Sequence, residues 1–148
     1  MQSLTPNEEK QGMATSSDEK RALVCEDDAA IRELVTTLLR REKFSVDTAV
    51  DGLDAIEKIS QNRYQLLVID LMMPKVSGYA VVEYLKKNIP PSLKRIVVTT
   101  AATDAIKNPF PEEICKLLAK PFEIDEFITY ARQCSEDTMT RRRRTGNV

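Results

Sequence analysis

Histidine is missing from all 148 residues. That absence removes histidine zinc sites, Ser–His triads and histidine general bases. No apolar run is long enough to span a bilayer. The opening residues, "MQSLTPNEEKQGMATSSDEK", lack the basic start and apolar stretch of a secretory signal. Glycine is scarce, four residues against seven prolines, which excludes collagen-like and linker-dominated classes. Charge nearly cancels at −1, so no global field favours nucleic acid or an anionic membrane. The three cysteines, Cys25, Cys115 and Cys134, are odd in number and widely spaced. That pattern suits a reducing cytosol rather than a disulfide scaffold.

What is present is one domain's worth of chain, able to bury a core without staples. Residues 1–19 are polar and aperiodic and read as a disordered extension. Residues 20–134 carry the periodic pattern, and 135–148, "SEDTMTRRRRTGNV", read as a flexible basic tail. Between them, short apolar runs alternate with helical spacing. The runs are "ALVC" (22–25), "FSVDTAV" (44–50), "LLVI" (66–69), "RIVVTT" (95–100) and "CKLLA" (115–119). Ile31, Leu34, Val35, Leu38 and Leu39 mark a first helix, and Leu53, Ile56 and Ile59 a second. Val81, Val82 and Leu85 mark a third, and Ile124, Phe127, Ile128 and Ala131 the last. The stretch between Ala101 and Cys115 carries Pro109 and Pro111, so its helix is expected to be short or irregular. Alternating strands and helices predict an α/β fold, a doubly wound five-stranded parallel sheet with flanking helices.

Parallel strands end at one rim, where ligands of open α/β sheets bind. The first strand here ends in Glu26 and Asp27, the third in Asp70, the fourth in Thr100 and the fifth at Lys120. The second contributes no chemistry, as an edge strand would. Two carboxylates ~4 Å apart repel by about 4 kcal/mol at an effective dielectric near 20, so three converging acids need a cation or must protonate. Lys120 supplies one charge, and oxygen-only ligands favour a hard ion such as Mg²⁺ for the rest. Carboxylates, a hard metal, a lysine and a threonine hydroxyl are the parts used to hold and move a phosphoryl group. Asp70 is the candidate nucleophile. Singly, each residue has a plain reading: Asp70 opening a solvated loop, the acids at a helix N-terminus with Asp28 as its cap, Lys120 a solvated charge. Joint placement at successive strand ends is the signal.

On these residues the chain resembles a response-regulator receiver domain of two-component signalling, of the stand-alone type, from about Lys20 to Gln133. "LVCEDDAAIREL" is similar to the family's acidic-pair segment, with Glu26 and Asp27 at the metal-site acids. "LLVIDLMMPKVSG" resembles the phosphoacceptor segment, making Asp70 the phosphorylated residue and Met72 the donor of a backbone carbonyl to the metal. "VVTTAA" places the switch hydroxyl at Thr100, and "LAKPF" places the phosphoryl-contacting lysine at Lys120. The resemblance implies a flavodoxin-like sheet, bound Mg²⁺, a histidine kinase or histidine phosphotransfer protein as donor, and a cytoplasmic domain acting through a downstream protein target. Neither nucleic acid nor membrane is expected to bind directly, and "RRRR" (141–144) reads as a solvated tail. The domain promotes its own phosphoryl uptake and slow dephosphorylation but is not otherwise an enzyme. Two departures bear on the readout. Leu117 stands where an aromatic is common, and the proline-interrupted stretch departs from the family's fourth helix. They keep a phosphorylation-independent interaction module open. A phosphohydrolase with an Asp nucleophile usually carries a second acid two residues on, where this chain has Met72.

Overall fold

The computed structural model describes residues 19–101 and 113–147, with side chains through 135. β1 (Arg21–Cys25), β2 (Ser45–Ala49), β3 (Leu66–Asp70), β4 (Ile96–Thr100) and β5 (Lys116–Ala119) form one sheet in the order β2-β1-β3-β4-β5. Every pairing is parallel. β3 and β4, in the middle, are buried along their whole length, as strands covered on both faces must be. β2 lies at the edge and is the most exposed toward its start.

Side chains alternate across the sheet, and each face has its own helices. α1 (Ala29–Arg41) and the last helix, α4 (Ile124–Asn147), cover one side. There Val35, Leu39, Phe127 and Ala131 pack on Ala22, Val24, Val68 and Val97. α2 (Gly52–Gln61) and α3 (Gly78–Asn88) cover the other side. There Ala55, Ile59, Val81 and Leu85 pack on Leu23, Leu67, Ile69 and Val98. Each Val, Leu, Ile or Phe among them, removed from water, stabilises the fold by roughly 1.5–3 kcal/mol before the entropy of ordering is counted.

The helix starts follow from local chemistry. Asp28 caps α1, accepting the Ile31 N–H at 3.0 Å, as its position in the sequence suggested. Asp51 caps α2 by accepting the Asp54 N–H at 2.8 Å, so the Asp51-Gly52 pair after β2 starts the helix. Ser77 caps α3 through the Ala80 N–H. A 3-10 helix, Pro90–Arg95, joins α3 to β4. The prolines at its first turn need no N–H there.

Three sequence expectations meet a different structure or none. The cysteines are not all unpaired: Cys115 and Cys134 form a disulfide, because β5 begins where α4 passes, with Cα atoms 5.9 Å apart. α4 runs on to Asn147, through the segment read as a flexible tail from 135. That segment has no proline and no glycine before Gly146, so nothing local breaks the helix. The irregular helix expected between Ala101 and Cys115 falls mostly outside the described residues.

Candidate functional site

The strand order reverses between β1 and β3, and the crevice of such a sheet opens at their carboxyl ends. Glu26 and Asp27 follow β1 directly, and Asp70 is the last residue of β3. One carboxylate oxygen from each of Glu26, Asp27 and Asp70 lies within 4.8 Å of the other two. Glu26 and Asp70 are buried, at 4% and 3% exposure, whereas Asp27 is open to solvent. A cluster with two dry carboxylates and one wet one is a half-open cradle.

Lys120, one residue past β5, reaches into it. Its Nζ lies 2.7 Å from Glu26 Oε1 and 3.5 Å from Asp70 Oδ1. The lysine therefore pairs more closely with the glutamate than with the candidate phosphoacceptor. The Lys120 N–H donates to the Thr100 carbonyl at 2.8 Å, which ties β5's end to β4's. Thr100 is buried at the end of β4. Thr99, not Thr100, is the register partner of Asp70. Met72 is exposed, and its N–H donates to Asp70 Oδ1 at 3.3 Å. Of the site residues proposed from sequence, Glu26, Asp27, Asp70 and Lys120 converge through their side chains, whereas Met72 meets Asp70 through its N–H and not through the carbonyl expected to face the metal.

Four contributors were not singled out from sequence. Arg32, one turn into α1, donates to the Glu26 carbonyl at 2.9 Å and the Asp27 carbonyl at 3.3 Å, pinning the acidic segment. Gly78 lies so close to the phosphoacceptor strand that a Cβ there would sit 2.2 Å from the Asp70 carbonyl oxygen. A Cβ on Gly52 would sit 1.9 Å from the Val76 carbonyl oxygen. The loop after β3 is thus seated on the start of α2, where Lys75 Nζ also lies 3.6 Å from Asp51 Oδ2. The available signal was the pair of glycines at helix starts in a chain that has only four.

Burial raises the Glu26 carboxyl above its ordinary range, and the Asp70 charge adds to that, against the lowering effect of the Lys120 hydrogen bond. A carboxyl raised in the folded state gives stability that is complete below its unfolded value and is lost as pH rises through the folded value. The cation-free domain is therefore expected to lose stability as pH rises above the ordinary glutamate value of 4.5. A divalent cation is expected to restore it near neutrality. Urea midpoints at mildly acidic and neutral pH, with and without Mg²⁺, test this; midpoints that are flat with pH and unmoved by the ion contradict it. Asp51 and Glu42 act in another window. The Asp54 N–H lowers Asp51 and the Arg132 hydrogen bond lowers Glu42, so their contribution is lost only as pH falls through the lowered values.

Three oxygen ligands with one lysine counter-charge suit a hard divalent cation such as Mg²⁺. Residues 22–132 match the family model for the response regulator receiver domain. The chain belongs to that family. The receiver is 34% identical over 112 residues to the transcriptional regulatory protein CpxR homolog of Haemophilus influenzae, covering 73% of this chain and 47% of that protein. It thus spans about half the length of that regulator. Its fold matches the response regulator TrrA of Thermotoga maritima, solved in complex with Mg²⁺ and BeF, with a TM-score of 0.71 and 29% identity over 78% of this chain and 98% of that one. The receiver domain of a Pseudomonas aeruginosa sensor histidine kinase, solved with magnesium in its active-site cleft, matches with a TM-score of 0.71 over 80% of this chain and 98% of that one. At 21% identity it speaks for the fold alone.

Proposed function

We propose that this receiver takes a phosphoryl group onto Asp70 from a phosphohistidine on a histidine kinase or histidine phosphotransfer protein, and passes the signal on by contact with a protein target. The observation that carries this reading is a buried aspartate held between a lysine and two further acids at the carboxyl rim of the sheet. Both the Lys120 Nζ and the Met72 N–H approach Oδ1 of Asp70. We assign the attack to the second oxygen. That oxygen forms the new bond to phosphorus as the phosphorus–nitrogen bond of the donor breaks, and the imidazole nitrogen leaves with the electron pair.

Glu26, Asp27, Asp70 and the Met72 carbonyl would hold Mg²⁺, which supplies positive charge for the phosphoryl oxygens. Lys120 is already oriented by Glu26 and carries charge toward the same oxygens. The Thr100 hydroxyl would donate a hydrogen bond to a phosphoryl oxygen and report its arrival. Phosphorylation replaces the single carboxylate charge of Asp70 by a phosphoryl group carrying roughly −1.5 to −2 charges, in a site that is already acidic. The domain then moves between two conformations that both exist beforehand. We place this action in the cytoplasm and assign no direct nucleic-acid contact to this domain, consistent with its near-neutral charge. None of the described helices is long and apolar enough to cross a membrane.

The test is intact mass after incubation with a small-molecule phosphodonor, with Mg²⁺ and with Mg²⁺ chelated. A phosphoryl adduct that needs the ion is expected. Wild type that stays unmodified in both conditions would overturn the reading and favour a module that binds its partner regardless of phosphorylation.

A further inference from the structure

The Cys115–Cys134 bond lies outside the cradle but brackets the chain that delivers Lys120 to it. Cys115 immediately precedes β5, Cys134 lies on α4, and 19 positions separate them. Between them run β5, Lys120 and the first turns of α4. Cys134 is fully buried against the cluster that holds Leu118, Phe127 and Ala131, and Cys115 packs half-buried against the same cluster. A buried thiol behaves as a small apolar side chain. The face of the sheet therefore stays packed whether the two sulfurs are joined or not, and the pairing does not have to be permanent.

The two cysteines also differ in access, in the way exchange chemistry requires. Cys115 is partly exposed and can meet a soluble reagent, whereas Cys134 is fully buried and bonded to Cys115. The third cysteine, Cys25, is fully buried on β1 with its thiol pushed up by burial, so it does not compete.

We propose that Cys115 and Cys134 form a reversible thiol–disulfide site, served by a small-molecule disulfide of the glutathione type, and that its state sets how firmly Lys120 is held over Asp70. In the oxidising direction the Cys115 thiolate attacks one sulfur of the small disulfide and expels one thiolate. The Cys134 thiolate then attacks the Cys115 sulfur and expels the second. Two protein thiols give up two electrons and two protons, and one small disulfide becomes two thiols. Joined, the bond fastens the start of β5 to α4 at a point beyond the strand's own hydrogen bonds. Reduced, β5 keeps its pairing with β4, the Cys115 N–H bond to the Leu93 carbonyl, the Lys116 contact with the Tyr130 ring of α4 and its packing, but loses the covalent tie.

The second half of this proposal rests on the phosphoacceptor reading, and the first half does not. The full chain is equilibrated with reduced and oxidised glutathione at graded ratios, quenched in acid, then unfolded and alkylated for intact mass. Of the three cysteines, one is expected to alkylate in the oxidised form and all three in the reduced form. In parallel, oxidised protein is expected to take up phosphoryl groups about threefold faster than reduced protein, since small displacements of a positioned group carry effects of this size or larger. Cys115→Ser and Cys134→Ala are expected to give the reduced rate at every ratio, the second keeping an apolar filler in the core. Three alkylated cysteines at every ratio would overturn the site. A bond that forms and leaves uptake unchanged would overturn its link to Lys120. Absence of uptake in both forms would sink the phosphoacceptor reading, while the alkylation count still decided the disulfide.

Discussion

Asp70→Asn is expected to carry no phosphoryl group under conditions that load the wild type, and to unfold at a higher temperature than wild type when no divalent cation is present. The first effect follows from chemistry: a carboxamide oxygen is a poor nucleophile toward phosphorus and cannot yield the acyl phosphate. The second follows from electrostatics. Asp70 and Glu26 are both buried, with a third acid within 4.8 Å. At an effective dielectric near 20, two charges at about this separation repel by roughly 3–4 kcal/mol. Lys120 offsets part of this and keeps its 2.7 Å contact with Glu26 when Asp70 is neutral. A net gain of about 1–2 kcal/mol remains, a few degrees in Tm. Intact mass with a phosphodonor and thermal melts in chelator check the two effects. An adduct retained on the variant would move the acceptor elsewhere. A lower melting temperature would mean that the acids are not repelling one another across the cradle.

Gly78→Ala should be nearly as damaging to uptake and far more damaging to the fold. The added methyl would sit 2.2 Å from the Asp70 carbonyl oxygen and 2.6 Å from the Leu71 Cα. Asp70 ends β3 in pairing with β4, and Leu71 follows with its N–H bonded to the Thr99 carbonyl at 3.0 Å, so neither backbone atom can rotate away. The 3.0 Å bond from the Gly78 N–H to the Leu71 carbonyl depends on the same close approach. Either α3 lifts or the end of β3 moves. Overpacking of this kind costs about 3 kcal/mol. A shift of about 1 Å at Asp70 would lower the uptake rate on the order of 10²-fold. Urea titration and the rate of adduct formation measure the two effects. A variant with wild-type stability and uptake would show that the loop after β3 yields without moving Asp70.

The sheet and most of the cradle could be read from the residues because they depend on local pattern. Apolar runs of four to seven residues had one reading once helical spacing stood between them. The acids sat at the ends of those runs, where the parallel rule gathers them. Lys120 followed from the same rule, but its partner did not: the closer pairing with Glu26 depends on how β5 meets β1 across the intervening strands. The disulfide was misread for a related reason. Spacing along the chain says nothing about which cysteines meet, and the crossing of β5 by α4 is a tertiary event. The role of Gly78 was hidden because a glycine at a helix start is common for its own sake. Only the backbone packed against it reveals why the position is closed to larger residues.

The contact between Lys120 and Glu26 joins residues 94 positions apart. Because a ribosome delivers the amino end first, the three carboxylates at the ends of β1 and β3 leave it before the one ammonium that pairs with them has been added. The half-made domain therefore holds these acids without their lysine, and synthesis through Lys120, just past the fifth strand, is the step that offsets one charge of the three.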